Sequence, residues 1–309
     1  MDLQERYAGA IMGHVIADAL GTAYTMKDPC DIPLKLEMTE STDAVTGHKV
    51  AKGQLSDDGS QLICLGESLI AKGFDIADQF LRYQRWLRHG YATPFGQAIG
   101  YGNRTVKLLN NEATLDRRRM RIDDSTLRGT GGLMRVLAIP LYYRGSVRNI
   151  VQKAKLSTAV THNSDEVMLY SAMYAVLVDY VLKGLSKEEA LAKLRIKFAS
   201  DERASKLLDR DFSSLIFTDA SPDYFSALAT LEVALWAWYS TNDYEQAITR
   251  AIRVGHNTDT CGAVTGGLVG ATYGINAIQK QWLDEVLMKA RLMRLAQKLY
   301  RHSMRTLVK

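Results

Sequence analysis

Two short stretches of this sequence carry side chains whose types and spacing suit chemistry, and they stand far apart in the chain. One is Ser56-Asp57-Asp58 within Gln54–Gln61. The other is Asn257, Asp259 and Thr260 within Gly255-His256-Asn257-Thr258-Asp259-Thr260, followed at once by Cys261-Gly262-Ala263-Val264-Thr265-Gly266-Gly267. Side chains at i and i+2 do not share a helix face, where neighbours stand three or four apart. Asn257 and Asp259 therefore converge only from a tight turn, expected to start at Gly255 and run into a helix beginning near Thr260. Carboxylate, amide and hydroxyl oxygens gathered on a turn suit Mg²⁺, Mn²⁺ or Ca²⁺ rather than Zn²⁺. Adjacent carboxylates such as Asp57 and Asp58 repel unless a cation lies between them. Both stretches have a second reading as helix caps, in which Thr258 or Asp259, and the paired aspartates, satisfy free amides at helix starts. Together they supply about six oxygen donors, the number a hard cation takes.

The elements that must present these turns are helices. Only five prolines interrupt 309 residues, and no alternating β-type run competes. A first helix is expected from about Leu3 to Leu20, with Gly9, Gly13, Ala17 and Gly21 forming a ridge of small residues every fourth position. Gly262, Gly266, Gly270 and Gly274 repeat that spacing. Glycine costs a helix about 1 kcal/mol relative to alanine, so the repetition implies close helix–helix approach. The two ridges are expected to pack together, which would bring Asp18 near the 255–260 turn.

Between Gly21 and Gly53 the chain reads as a long irregular loop holding Glu37, Glu40 and Asp43, with nothing to rank these acids. Helices are expected over 62–72, within 76–113 with breaks near Gly90 and Pro94, over 166–183, from a capping box at Ser186–Glu189, from Pro222 to Tyr239, and over 283–302. The last carries apolar residues at 283, 286, 287, 290, 293, 296 and 299, with Arg291, Arg294, Lys298 and Arg301 on its outer face. Gly129-Thr130-Gly131-Gly132 is a glycine-rich turn that can hold phosphate on free amides, but no Gly-Lys-Ser/Thr follows and it is not a P-loop. Thr161-His162 reads first as a capping or core histidine and only second as a ligand.

An apolar share of 47% and a charged share of 24% are those of a water-soluble globular chain. No linker or composition break divides residues 1–309, so one domain is expected. Three scattered cysteines (Cys30, Cys64 and Cys261) fit a reducing, cytoplasmic setting, and no signal peptide is expected at the start. Residues 261–278 are uncharged over about the length of a membrane span, but their Gly and Thr content points to a buried core helix and no membrane partner. A net charge of +5 permits an anionic ligand without arguing for nucleic acid.

Five short motifs stand in a fixed order: Ile16-Ala17-Asp18-Ala19-Leu20-Gly21, Ser56-Asp57-Asp58, Gly132-Leu133-Met134-Arg135, Thr161-His162 and Gly255–Thr260 before a Gly/Ala helix. In this order the sequence resembles the ADP-ribosylglycohydrolase family over about residues 6 to 275. The resemblance implies an all-α, orthogonal multi-helix domain with a cleft for two Mg²⁺ (or Mn²⁺) ions. It implies Ser56, Asp57 and Asp58 on one side of the metals, and Asn257, Asp259 and Thr260 on the other. It also implies hydrolysis of the N- or O-glycosidic bond at the anomeric carbon of ADP-ribose on a modified acceptor, with a protein arginine first in line and ADP-ribose as product. Asp57 and Asp58 are the expected catalytic carboxylates, stabilising positive charge on the ribose or taking a proton from water. Asp18, Gly131 and Gly132 are assigned to substrate, the glycine pair as a diphosphate cradle read from the turn rather than from the family.

The sequence departs from the family pattern at three places. Asn257 stands where the family usually has Asp, Ser56 replaces Thr, and Gly59 replaces the usual Thr after the paired aspartates. Asn257 removes a negative charge and predicts weaker metal binding. It keeps open a non-catalytic ADP-ribose-binding or structural relative. A nucleic-acid acceptor also stays open. A nucleic-acid-binding protein would draw on Arg117, Arg118, Arg119 and Arg121, a cluster balanced by Asp116, Asp123 and Asp124 that otherwise reads as a solvated face.

Overall fold

The Asp2 carboxylate accepts a hydrogen bond from the Glu5 amide and the Glu5 carboxylate accepts one from the Asp2 amide, a capping box that starts α1 (Leu3–Thr22), buried from Tyr7 onward. The computed structural model describes residues 1–110, 128–215 and 223–307. The arginine cluster at 117–121 and Pro222 lie outside them. The described residues form fourteen α-helices and one two-stranded sheet, the all-α class expected. After α1 come α2 (Asp57–Lys72), α3 (Ile76–His89), α4 (Asn103–Leu109), α5 (Ala138–Tyr142), α6 (Val147–Thr158) and α7 (Asp165–Leu182). Then follow α8 (Lys187–Phe198), α9 (Glu202–Leu208), α10 (Ala227–Tyr239), α11 (Tyr244–Ile252), α12 (Thr258–Tyr273), α13 (Lys280–Glu285) and α14 (Lys289–Leu307).

The two glycine ridges meet, antiparallel. A Cβ on Gly270 would lie 2.0 Å from the Gly9 carbonyl oxygen, one on Gly266 2.3 Å from that of Gly13, and one on Gly21 2.3 Å from that of Thr258. Only hydrogen fits at these crossings, and the α1 and α12 backbones touch as a result. The antiparallel register sets the C-terminal end of α1, with Asp18, against the N-terminal end of α12, with Asp259. The Thr258 hydroxyl donates to the Gly21 carbonyl at 2.7 Å and Tyr244 donates to that of Gly13 at 2.6 Å, fixing the pair from α12 and α11. Helix α7, buried almost all round, backs α12 from the other side through the Tyr174 hydroxyl on the Val264 carbonyl. Among the described residues no helix is long and apolar enough to cross a membrane. The uncharged stretch from Cys261 is core.

Several boundaries differ from the sequence reading. Helix α2 begins at Asp57, not Leu62, because Ser56 caps it through the Asp58 amide. Helix α12 begins at Thr258, with Asn257 at its N-cap position and no side-chain cap bond there. Pro140 sits inside the first turn of α5, where a missing N–H leaves nothing unsatisfied. The long loop contains a small antiparallel hairpin, β1 (Ser41–Thr42) and β2 (Lys49–Val50), with Ser41 opposite Val50.

The last helix is two. Leu287 donates its N–H to the Gly53 carbonyl at 2.9 Å, and Met288 turns to φ 61°, so α13 stops and α14 restarts with a different face inward. Leu292, Leu295, Ala296 and Leu299 are buried while Ala290 and Met293 are exposed, which corrects the continuous period read across 283–299. Arg291 does not face outward either. It grips both oxygens of Glu67 at 2.8 and 2.9 Å.

Candidate active site

The first turns of α2 and α12 meet beside the C-terminal part of α1, and the carboxylates collect there. Free amides at helix starts favour negative charge, which is why two acid-bearing helix ends can meet at all. The Thr260 hydroxyl reaches Asp58 Oδ2 at 3.3 Å, and the Ser56 hydroxyl reaches the same oxygen at 3.2 Å. Asp259 Oδ1 accepts from the Thr260 amide at 2.9 Å. The turn feeding α12 is built from Gly255 at φ 86° and His256 at φ 56°, two successive left-handed residues. It is pinned by backbone bonds between His256 and the Met26–Lys27 turn, at 2.7 and 2.8 Å. The Asn257 amide nitrogen donates to Thr230 of α10 at 3.3 Å. That leaves its carbonyl oxygen as the atom available to a cation.

Asp18 lies at the centre of this cluster, fully buried. Its carboxylate accepts from the Ser56 amide at 3.0 Å, the Gly59 amide at 2.9 Å and the Ser56 hydroxyl at 2.6 Å, with Thr22 on its other side. Gly59 permits this approach, since a Cβ there would lie 2.9 Å from Asp18 Oδ2. The residue assigned to substrate is thus bonded to the start of α2, holding Ser56, Asp57 and Asp58 against α1. Gly131 and Gly132, in a buried 3₁₀ turn, lie against His162 and the end of α6. A Cβ on Gly131 would meet the His162 ring at 2.5 Å, and one on Gly132 would meet Thr158 at 2.4 Å.

Two further residues join the cluster. Asp43 is buried and held by the hairpin turn through the Val45 and Thr46 amides at 3.3 and 3.1 Å, and its charge bears on both Asp57 and Asp259. Glu37 and Glu40 are exposed, so the structure ranks the three loop acids. Gly100, at φ 80°, donates its N–H to Asp43 at 3.2 Å and passes so close to Asp57 that a Cβ would lie 2.8 Å from Oδ1. The signals were available: Asp43 and Gly47 bracket a hairpin turn, and Gly100-Tyr101-Gly102 is a glycine-spaced stretch ahead of a helix.

The electrostatics are those of negative charge held in a dry place. Burial, then the neighbouring carboxylates, push Asp57 and Asp58 well above the usual carboxylate range. Burial lifts Asp18 to about 7 and raises Asp259. Asp58 Oδ1 is buried with no hydrogen-bond partner. The carboxylates are gathered but not closed, for no three His, Cys, Asp or Glu side chains among the described residues are arranged to hold an ion. The donor set includes hydroxyl and amide oxygens besides acids. With an orphaned carboxylate oxygen and mutual repulsion unrelieved, it fits a hard divalent cation. Two grooves on the surface, of about 530 Å³ beside Trp236 and Arg250 and about 370 Å³ between Glu67, Arg82 and Arg291, hold none of these residues. Chemistry, not groove size, locates the site.

The family model for ADP-ribosylglycohydrolase matches residues 1–307. The chain belongs to the ADP-ribosylglycohydrolase family. Among the relatives it resembles is an ADP-ribosylarginine hydrolase, Tri1, of Pseudomonas putida strain GB-1, 28% identical across 96% of this chain and 78% of that one. The ADP-ribosyl-[dinitrogen reductase] glycohydrolase of Rhodospirillum rubrum is 25% identical across 93% and 92%. A solved structure described as an ADP-ribosylglycohydrolase-related protein complex superposes with a TM-score of 0.83 at 30% identity, covering 98% of this chain and 99% of its own.

Proposed function

We propose that this chain is an ADP-ribosylhydrolase that cleaves the glycosidic bond at the anomeric carbon of an ADP-ribosylated protein side chain, arginine being the acceptor to test first. The observation that carries the reading is the meeting of Ser56-Asp57-Asp58 with Asn257, Asp259 and Thr260 at two helix starts. The relatives' names support the bond class. In this reading those six residues hold two Mg²⁺ or Mn²⁺ ions, which when bound supply positive charge to fix the ribose hydroxyls and orient water. As the bond to the acceptor nitrogen breaks, positive charge grows on the ribose ring, and the Asp57, Asp58 and Asp259 carboxylates lower its energy. Asp57 or Asp58 takes a proton from the attacking water and passes it to the departing acceptor nitrogen, so the carboxylate is regenerated and no proton is left over. Asp18 acts from beneath, keeping the first turn of α2 in place.

Release of ADP-ribose from an arginine-ADP-ribosylated protein, followed with Mg²⁺ and with EDTA, tests this. Asp57→Ala and Asp259→Ala are expected to lower turnover at least ~100-fold, in line with loss of a catalytic carboxylate. Full activity in Asp57→Ala would overturn the assignment. Asn257 favours a second reading, a relative that binds ADP-ribose without cleaving it, because its amide is bonded to Thr230 and brings no charge to the site. Binding of ADP-ribose that ignores EDTA, with no hydrolysis of arginine or serine linkages, would select that reading.

A further inference from the structure

Arg135 is a fully buried cation that makes no ion pair among the described residues, though the charge of Asp57 bears on it. Its guanidinium lies 4.4 Å from the centre of the Tyr83 ring. Its hydrogen bonds go to neutral acceptors: Gln61 of α2 at 2.7 Å, the Ser157 carbonyl at 3.4 Å and the Thr161 hydroxyl at 2.6 Å. Thr161 Oγ1 is in turn 2.9 Å from Nδ1 of His162.

Proton counting gives the one direction of this relay that leaves no hydroxyl proton unplaced. A guanidinium only donates, so Thr161 accepts from Arg135 and has one proton of its own to place. Among the described residues the acceptor within its reach is His162 Nδ1. A neutral imidazole that accepts at Nδ1 carries its hydrogen on Nε2. The ring is neutral, because burial and the facing cations Arg135 and Arg104 press its ionisation down to about 3. The ring is also fixed in place. A Cβ on Gly131 would lie 2.5 Å from Cε1, and one on Gly129 3.4 Å from Nε2.

We propose that Arg135 is a positioning residue that acts through Thr161 to hold His162 as the Nε2–H tautomer, a hydrogen-bond donor beside the 129–132 turn for an oxygen of the bound ligand. The same guanidinium ties this donor to Gln61, one turn beyond Asp57 and Asp58 on α2. The ligand contact rests on the ADP-ribosylhydrolase reading. The tautomer does not.

The full chain carrying ¹⁵N-labelled histidine gives the test, through long-range ¹H–¹⁵N correlation at neutral pH with His162 assigned by its loss in His162→Asn. The expected pattern is a protonated Nε2 and an unprotonated Nδ1 in the wild type and in Thr161→Ser. Thr161→Val and Arg135→Gln are expected to move the pattern toward Nδ1–H or an average of the two. Thr161→Val is the deciding variant, since burying a glutamine in place of Arg135 risks the fold. A wild-type Nδ1–H pattern, or a folded Thr161→Val with the wild-type pattern, overturns the proposal. In a parallel titration with ADP-ribose, Thr161→Val is expected to weaken binding about tenfold and Thr161→Ser by less than about twofold. Unchanged affinity in a Thr161→Val protein whose tautomer has moved overturns the ligand contact alone. Absence of binding by the wild type overturns the functional reading while the nitrogen spectrum still decides the tautomer.

Discussion

Asn257 is the one neutral amide among the candidate ion ligands, and the effect of adding a charge there is measurable. Asn257→Asp is expected to tighten Mg²⁺ binding by about tenfold, read by calorimetry, since hard-cation affinity rises with ligand charge. No change would mean that the residue does not face the ion. The raised carboxylates give a second prediction. A group whose folded pKa lies above its unfolded value holds its proton longer in the native state, so stability falls as pH rises through the folded value. In EDTA the melting temperature is therefore expected to rise on going from pH 8 to pH 6.5, the window set by Asp18 at about 7 with Asp57, Asp58 and Asp259 also raised. Below about pH 6.5, the unperturbed histidine value, His14 and His162 oppose the gain, because burial holds them neutral at about 4 and about 3 while the unfolded chain takes up protons. Saturating Mg²⁺ is expected to flatten the upper window; a melting curve that ignores pH in EDTA would contradict the buried, charge-crowded site. At this scale the two oxygen-rich turns were readable because each site is written in consecutive residues. Asp43 and Gly100 carried local turn signals, but nothing local says which loop folds over the cluster.

At the scale of elements, the pairing of α1 with α12 is the structural commitment of the fold, and it was legible because both glycine ridges repeat every fourth residue. Gly266→Ala is expected to cost ~3 kcal/mol or more by urea unfolding, since the methyl would meet the Gly13 carbonyl oxygen at 2.3 Å and backbone cannot give way as side chains do. Ser186→Ala, which removes one half of the α8 capping box, is expected to cost about 1 kcal/mol. If the two variants unfold alike, the ridges are not the close contact described. The division between α13 and α14 was not legible. It is imposed by Gly53, whose carbonyl takes the Leu287 amide and whose absent side chain lets the Glu285 backbone pass where a Cβ would sit 2.1 Å from its carbonyl oxygen. No periodicity in 283–299 encodes a partner more than two hundred residues upstream.

At the scale of the molecule, an ion at the meeting of α2 and α12 would join parts of the chain that no covalent link holds near each other. Mg²⁺ at ~100 times its dissociation constant is expected to raise stability by about 2.7 kcal/mol, read as a reversible upward shift of the melting temperature that EDTA cancels. A melting temperature indifferent to Mg²⁺ would leave the six oxygen donors without their proposed ion. The pairing of α1 with α12 also sets a timetable. Thr258 closes onto Gly21 across 237 residues. At ~5–20 residues per second of synthesis, the first helix waits for tens of seconds with its glycine face uncovered. The site therefore comes into being only once α12 has been made, and a chain cut short before α12 carries a helix whose glycine face has no partner and that a cell must shelter or destroy.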